Sequence, residues 1–357
     1  MSYNPQAVAY IIPPYSQDSA ISENVRRRKE VLEKLGYAVF LIEHQKKHFF
    51  EICISLWKKR KLFKYIIIRL DGTSLLDKYS LLKLALPKHK FIWEVHGFPQ
   101  ERLEFSENHL IRMLVLKDSL KRKVLSFLIS ACIFISNELN IYAKRNIFIQ
   151  RAFIIPNFVH TYPKRPAKRQ LLLTSLLQKK AYIVLWGGDA SLPWQATDLI
   201  PRIAQKIYKL DKTILFFLVG TNHYYPVCPS RNVVHLPSLQ YTEFLSLINQ
   251  SHICLCLYHR PNHIPFYFYP MKLIDYMLIG KPIIATRTGS INSLIKHNIN
   301  GFLTNNNISD IIQTILRLKR NRRLSKNVAN HARHYAVTYL NDNQAMLKYR
   351  TLFQSLP

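Results

Sequence analysis

Lys272 and Asp275 stand three residues apart in PMKLIDYM, a stretch that Pro270 is placed to open as a helix and Gly280 to close. Residues at that spacing are neighbours on one helix surface, so the two form either a surface ion pair or a grip on a shared ligand. A lysine in the first turn opposes the helix dipole, which suits an anion held at the helix start. The aspartate could accept hydrogen bonds from two adjacent hydroxyls, such as a ribose diol. Gly187 and Gly188 end the apolar run YIVLWGG, ahead of a helical stretch expected from about Trp194 to Tyr208. Glycines there let a backbone approach a phosphate, or only reverse the chain. Neither GxGxxG nor GxxxxGK[ST] occurs, which leaves a dinucleotide cofactor and a P-loop without support. Glu94 and His96 alternate at the end of FIWEVHGF and so face one side of a strand. A histidine there can serve as acid, base or donor, or merely pack. Ser136, Asn137 and Glu138 follow ACIFI, where Ser and Asn are equally well explained as helix caps.

The elements that carry these residues alternate along the chain. AVAYII, YAVFLIE, YIIIRLDG, FIWEVHGF and ACIFIS read as strands separated by helical segments, the last preceded by a basic amphipathic helix over roughly Asn108 to Phe127. Continuous apolar strands of this kind belong to parallel sheets covered on both faces. FIIPNFVHTYPKRPAKRQ interrupts the pattern with three prolines and a basic run. Alternation then restarts with AYIVLWGG, ILFFLVG, NVVHLP and HICLCLY. The expected fold class is α/β, with two Rossmann-like domains facing across a cleft: 1–160, a linker at 161–180, 181–335, and a C-terminal helix in 336–357 that packs back on the first domain. In such sheets ligands bind beyond the carboxyl ends of the strands.

Charge narrows the partners. The chain carries 51 Lys and Arg against 21 Asp and Glu, a net charge of +30, which favours polyanions or anionic membrane surfaces. The basic residues come in clusters: 26–29, 58–61, 121–123, 164–169 and 319–323, read as a solvated surface or as a face toward an anionic partner. Nucleic acid is the weaker candidate, because no helix-turn-helix, zinc-finger or RNP pattern accompanies the charge. Five cysteines without metal spacing suit a reducing compartment, with Cys254 and Cys256 on one side of a strand as small core residues. No basic leader precedes an apolar core at the N-terminus, and the longest apolar run, Val124 to Ile135, is too short to span a bilayer. These features suggest a cytoplasmic protein, peripheral on the inner face of the cell membrane.

The long segment FYPMKLIDYMLIGKPIIATRTGSINSLIKHNINGFLT resembles the C-terminal signature of the group 1 glycosyltransferases, retaining enzymes of GT-B fold. FISNELNIYA, FIIPNFV, YIVLWGG and FFLVG are similar to further family segments in the same order. The resemblance implies transfer of a sugar from a nucleotide-sugar donor to a surface-glycan or lipid-linked acceptor, without a metal or other cofactor. It places Asp275 at the second of the family's paired carboxylates, beside the ribose, and Tyr267 at the first, where a carboxylate is usual. Trp194 and Gln195 fall near the family's usual Lys-Gly, so Lys272 becomes the leading cation for the diphosphate, with Arg287 or Arg260 as helpers. His96 corresponds to the first-domain His beside the transferred sugar; Glu94 and Asn137 are expected on the acceptor side. The departures at Tyr267 and Trp194-Gln195 also allow a degenerate member that binds a nucleotide sugar or scaffolds glycan assembly.

Overall fold

Strands as apolar as these join parallel sheets, with the central strands buried and the edge strands Ala38–Glu43 and Val233–Leu236 partly exposed. The computed structural model describes residues 7–15, 20–44, 49–160, 181–221 and 230–356. The expected linker at 161–180 and the basic run 164–169 lie outside them. The first sheet has the order β2-β1-β3-β4-β5-β6, from β1 (Ala7–Ile12), β2 (Ala38–Glu43), β3 (Phe63–Leu70), β4 (Lys90–Val95), β5 (Ala131–Phe134) and β6 (Ala152–Ile154). The second has the order β12-β11-β10-β7-β8-β9, from β7 (Tyr182–Gly187), β8 (Ile214–Val219), β9 (Val233–Leu236), β10 (Ile253–Cys256), β11 (Ile283–Thr286) and β12 (Phe302–Thr304). All described pairings are parallel. Two Rossmann-like units, followed by C-terminal helices, make this a GT-B architecture.

Period-two alternation distributes side chains to the two faces of the first sheet. Val8, Tyr10, Ile67 and Ile133 pack toward helix α1 (Ala20–Lys34), while Ala9, Ile66, Trp93 and Phe134 pack toward the other face. That other face carries α2 (Phe49–Lys58), α3 (Leu82–Ala85), α4 (His109–Leu125) and α5 (Asn137–Asn146). In the second unit α6 (Leu199–Leu210) and α10 (Ile308–Arg320) cover one face, and α7 (Tyr241–Gln250) and α8 (Met271–Ile279) cover the other. Helix α6 starts at Leu199, after a loop that holds Trp194; a helix beginning at Trp194 is not what forms. Cys132, Cys254 and Cys256 are buried free thiols.

Two long helices follow the short α9 (Ile291–Leu294) and α10. Helix α11 (Arg322–Tyr339) lies on α8 of the second unit. The chain then turns at Leu340 and Asn341, and α12 (Asp342–Ser355) packs against α1 of the first. Asn341 caps α12 by accepting from the Gln344 amide at 2.9 Å. Tyr349 and Leu352 of α12 are fully buried with Val8 and Tyr10. The outgoing and returning segments touch, since the Val159 amide donates to the Leu340 carbonyl at 2.7 Å.

Two arginines of the 26–29 run are not a surface. Arg28 is 0% exposed because positions 25, 28 and 32 form the inward stripe of α1, and Arg27 is 2% exposed because the second domain covers it through Asp275. If α12 is part of the first-domain core, Leu352→Ala should lower unfolding stability by about 2–5 kcal/mol, read from urea denaturation. An unchanged midpoint would show that α12 is not part of that core.

Candidate functional site

Strand order in the second sheet reverses between β7 and β10, and the crevice beyond such a switch point is where ligands of open α/β sheets bind. Trp186 and Gly187 end β7, Gly188 follows, and Tyr258 lies just after β10. Pro270 precedes α8 and Gly280 ends it in the left-handed region at φ 77°, so Lys272 falls in the first turn. Its ammonium donates to Gln195 Oε1 at 2.8 Å and lies 4.5 Å and 4.8 Å from the ring centres of Trp186 and Tyr258. A Cβ on Gly188 would stand 3.1 Å from Lys272 Nζ, so the glycine leaves the room that the lysine occupies. Lys272 is 8% exposed and makes no ion pair among the described residues. Burial lowers its pKa to about 8, and only the Cys256 thiol opposes that shift. The ammonium is thus enclosed by an amide and two ring faces, with no carboxylate against it among the described residues.

The glycines work differently from a phosphate cradle. The Gly187 amide donates to the Tyr276 hydroxyl at 3.1 Å and the Gly188 amide to the Val219 carbonyl at 3.1 Å, so both N–H groups are engaged. Their part is to admit side chains: a Cβ on Gly187 would overlap the Phe244 ring. Lys272 and Asp275 do not pair on a surface either. Asp275 is 3% exposed; its Oδ1 accepts from Tyr241 Oη at 2.9 Å and from Arg27 Nη2 of the first domain at 3.1 Å. Burial raises the Asp275 pKa, and Arg27 acts against that. Arg27 also donates to the Tyr241 hydroxyl and, at 2.7 Å, to the Phe158 carbonyl. In this conformation Asp275 is a domain contact. Arg287 and Arg260 are exposed, after β11 and in the loop beyond β10.

Across the cleft, the end of β4 carries a buried charge cluster. Glu94 is fully enclosed and accepts from Tyr10 Oη at 2.6 Å and Arg69 Nη1 at 3.0 Å, with Arg28 Nε at 3.2 Å and the His96 ring also against it. Although burial opposes it, these partners hold the carboxyl far below the usual range. Glu94 is therefore beneath the cleft wall rather than on an acceptor-facing surface. His96 lies above it, its pKa lowered to about 4 by burial and by Arg69, with Glu94 pulling the other way. A ring whose pKa is so lowered is uncharged at neutral pH, and with Arg69 Nη2 3.4 Å from Nδ1 the tautomer that fits carries its proton on Nε2, toward the Glu94 carboxylate. Asn137 is the exposed first residue of α5, while its neighbour Ser136 caps that helix and donates to the Tyr267 carbonyl at 2.7 Å.

Tyr267 is also buried, and its hydroxyl donates to Glu101 Oε1 at 2.5 Å. The Glu101 carboxyl fills space beside Gly72 and Gly97, where a Cβ on either would overlap it. Burial, ahead of every other influence, raises its pKa to about 8. Glu101 carries no motif and was not foreseeable from its neighbours in sequence. Around it the domains meet through a series of bonds along the aromatic run 266–269. Asn157 Nδ2 donates to the Tyr269 carbonyl at 2.7 Å, and Glu104 accepts from the Asn262 and His263 amides at 2.9 Å and 2.6 Å. Phe105 meets Trp194 edge-on at 5.7 Å, and Trp194 stacks on Phe268 at 4.7 Å.

Residues 182–321 match the family model described as glycosyl transferases group 1. No curated protein matches the chain. Among solved structures it is similar to sucrose-phosphate synthase from Thermosynechococcus elongatus, with a TM-score of 0.72 and 14% identity over 98% of this chain and 99% of that one. It is also similar to Anabaena Alr3699/HepE in complex with UDP, with a TM-score of 0.70 and 13% identity over 98% and 100%. A glycosyltransferase from Rickettsia africae gives a TM-score of 0.69 and 15% identity over 99% of each chain. At these identities the likeness establishes the fold.

Two buried acids make opposite predictions. Glu94→Gln leaves Arg28 and Arg69 short of a counter-charge and should cost about 3–5 kcal/mol in denaturant unfolding; a loss within experimental error would show that the cluster is not electrostatically coupled. Glu101 has a folded pKa above its unfolded value, so the native state binds the extra proton and stability falls as pH rises from about 4.5 to about 8. Glu101→Gln should therefore be more stable than the parent at pH 8, with the difference shrinking toward pH 4.5. Parallel stability curves would disprove the burial of an ionisable acid there.

Proposed function

From the match of residues 182–321 to the group 1 glycosyltransferase model and the GT-B fold of the two domains, we propose that the chain transfers a sugar from a nucleotide-sugar donor, with retention, to a surface-glycan or lipid-linked acceptor. The observation that carries this reading is Lys272, a buried ammonium without an anionic partner at the switch point of the second sheet. When a nucleoside diphosphate leaves a sugar, negative charge grows on its bridging oxygen while the anomeric carbon becomes cation-like. A cation already fixed and desolvated at that place stabilises the leaving group without having to reorganise, an effect of about 2.7–4 kcal/mol for one such donor. Gln195 orients the lysine, and Gly188 leaves it room. Trp186 and Tyr258 exclude water around it. His96, as a neutral ring above the Glu94 cluster, is assigned to the first-domain side of the transferred sugar. Arg287, exposed beyond β11, is assigned to the outer part of the donor.

A non-catalytic member of the same fold is the second reading, and Tyr267 is the observation that favours it. An aromatic bonded to Glu101 occupies a position where related proteins usually hold a carboxylate. One assay separates the two: UDP-, GDP- and ADP-sugars are offered with and without a lipid-linked acceptor, and both thermal shift and nucleotide release are measured. Release supports the transferase; a shift without release under every condition supports the binder; no shift overturns both. Peripheral attachment to an anionic membrane surface belongs to the proposal, supported by the net charge of +30.

Lys272 must be protonated to hold a diphosphate, so affinity for the nucleoside diphosphate should fall as pH rises through about 8. Lys272→Met should weaken binding by about 10- to 100-fold at pH 7, the size of a charge-assisted hydrogen bond, and flatten that pH dependence. Calorimetric titration that finds parent-like affinity in the variant would remove Lys272 from the site.

A further inference from the structure

Helix α4 buries Val115 and Leu125, but it is apolar on the face it turns to solvent as well. Its inward face carries Asp118, which accepts from Arg102 at 2.6 Å, and Arg122, which donates to the carbonyls of Gly97 and Asp71 at 2.9 Å and 3.2 Å. Its outward face carries Met113, Leu116, Leu120 and Val124, with Phe127 one turn beyond; the last four are 60–66% exposed. The spacings of three and four residues place these side chains on one continuous stripe. A helix that only covered a sheet would turn a polar face outward. Lys117 and Lys123 flank the stripe without an ion-pair partner among the described residues, and no acidic side chain interrupts the outward face.

The neighbouring elements continue this surface. Helix α2, on the same side of the sheet, exposes Phe50, Ile54 and Trp57 at spacings of four and three residues and leads directly into Lys58, Lys59 and Arg60. Phe148 stacks on Phe127 at 4.8 Å. Of the 24 large apolar residues exposed among the described residues, 17 fall between positions 50 and 148, and only Leu210, Ile299 and Tyr339 belong to the described part of 181–339. This asymmetry is too strong for scattered surface residues, and apolar patches of this kind mark interaction sites. No helix among the described residues is long and apolar enough to cross a membrane. On α4 the apolar side chains lie between lysines with no carboxylate among them, and on α2 the one acid, Glu51, stands at the end away from Lys58 to Arg60. This fits a bilayer interface, where the stripe enters the acyl boundary while the lysines meet anionic headgroups.

We propose that the outward faces of α4 and α2 form an in-plane docking surface for an anionic lipid bilayer, with the α4 stripe as the inserted part. The placement also bears on the substrate, and here the inference rests on the transferase reading. Phe105 and Glu104, which meet the second domain at the cleft rim, lie only a few residues before α4. A docked α4 therefore brings the cleft to the membrane surface, where the polar head of a lipid-linked acceptor would emerge.

The test uses the full chain and sucrose-loaded vesicles of phosphatidylglycerol with phosphatidylcholine, or of phosphatidylcholine alone, without any nucleotide sugar. The parent should sediment with the anionic vesicles and retain a bound fraction in about 0.5 M salt, where surface electrostatics are largely screened. Leu116→Gln/Leu120→Gln/Val124→Gln changes only exposed positions and should reduce vesicle partitioning by about tenfold or more, removing the salt-resistant fraction. Lys117→Gln/Lys123→Gln should instead reduce the preference for anionic vesicles. Absence of parent binding, or equal binding by the triple variant, overturns the proposal. So does a parent dimer that the triple variant converts to monomer without loss of vesicle binding, which would make the stripe a contact between copies. Nucleotide-sugar binding measured in solution is independent of these outcomes, so failure of the docking surface and failure of the transferase reading remain distinct.

Discussion

Two adjacent arginines on one helix, Arg27 and Arg28, are the constraint on which the arrangement of both domains depends. Neighbouring residues on a helix point about 100° apart, so the two guanidinium groups reach in different directions from a single turn. Arg27 reaches out of the first domain to Asp275 and Tyr241 of the second. Arg28 reaches inward to Glu94, to the hydroxyl of Tyr349 at 2.8 Å on the returning C-terminal helix, and to the Ile155 carbonyl at 3.0 Å before the hinge. Burying two cations costs several kcal/mol each unless their hydrogen bonds are satisfied. Here they are, by partners from five separate segments. The cluster has little freedom to rearrange in part, which makes it a register for the fold rather than a simple source of stability.

Lys272 shows the opposite condition. It is buried too, but the groups around it are an amide and two aromatic rings, none of which can neutralise it. One class of buried cation is balanced within the protein and so carries structure; the other has no internal counter-charge among the described residues, which is why the proposed function rests on it. The difference also explains the divided use of α8, whose first turn turns Lys272 toward the switch point and whose next turn turns Asp275 toward the first domain.

Much of the fold was legible in the sequence because buried parallel strands read as uninterrupted apolar runs, and AVAYII, YIIIRL, ILFFLV and HICLC each form a strand where their composition places one. Lys272 was legible for a related reason, as a cation opposed to the dipole of its own helix. Arg27 and Arg28 were not, since a run of four basic residues ordinarily signals a solvated face; only their positions relative to Val25, Val31 and Leu32 disclose which way they turn. The loop around Trp194 was taken for the first turn of a helix because an apolar residue cannot by itself distinguish a helix face from an aromatic stack. Glu101 had no sequence signal at all: its meaning comes from two glycines and a tyrosine that are remote in the chain and adjacent only after folding.

The chain passes between the domains twice, at residues 155–160 and again at Leu340 and Asn341, and the two passages are bonded to each other. A single tether would allow the second domain to swing and twist in any direction about the first. Two tethers joined side by side remove most of those rotations and leave one soft axis through the crossing point. The rim lies away from that crossing and is joined by bonds of its own, Glu104 to the Asn262 and His263 amides. The doubled backbone thus gives the two domains one shared pivot, and any change in the angle between them has to be taken up by both passages at once.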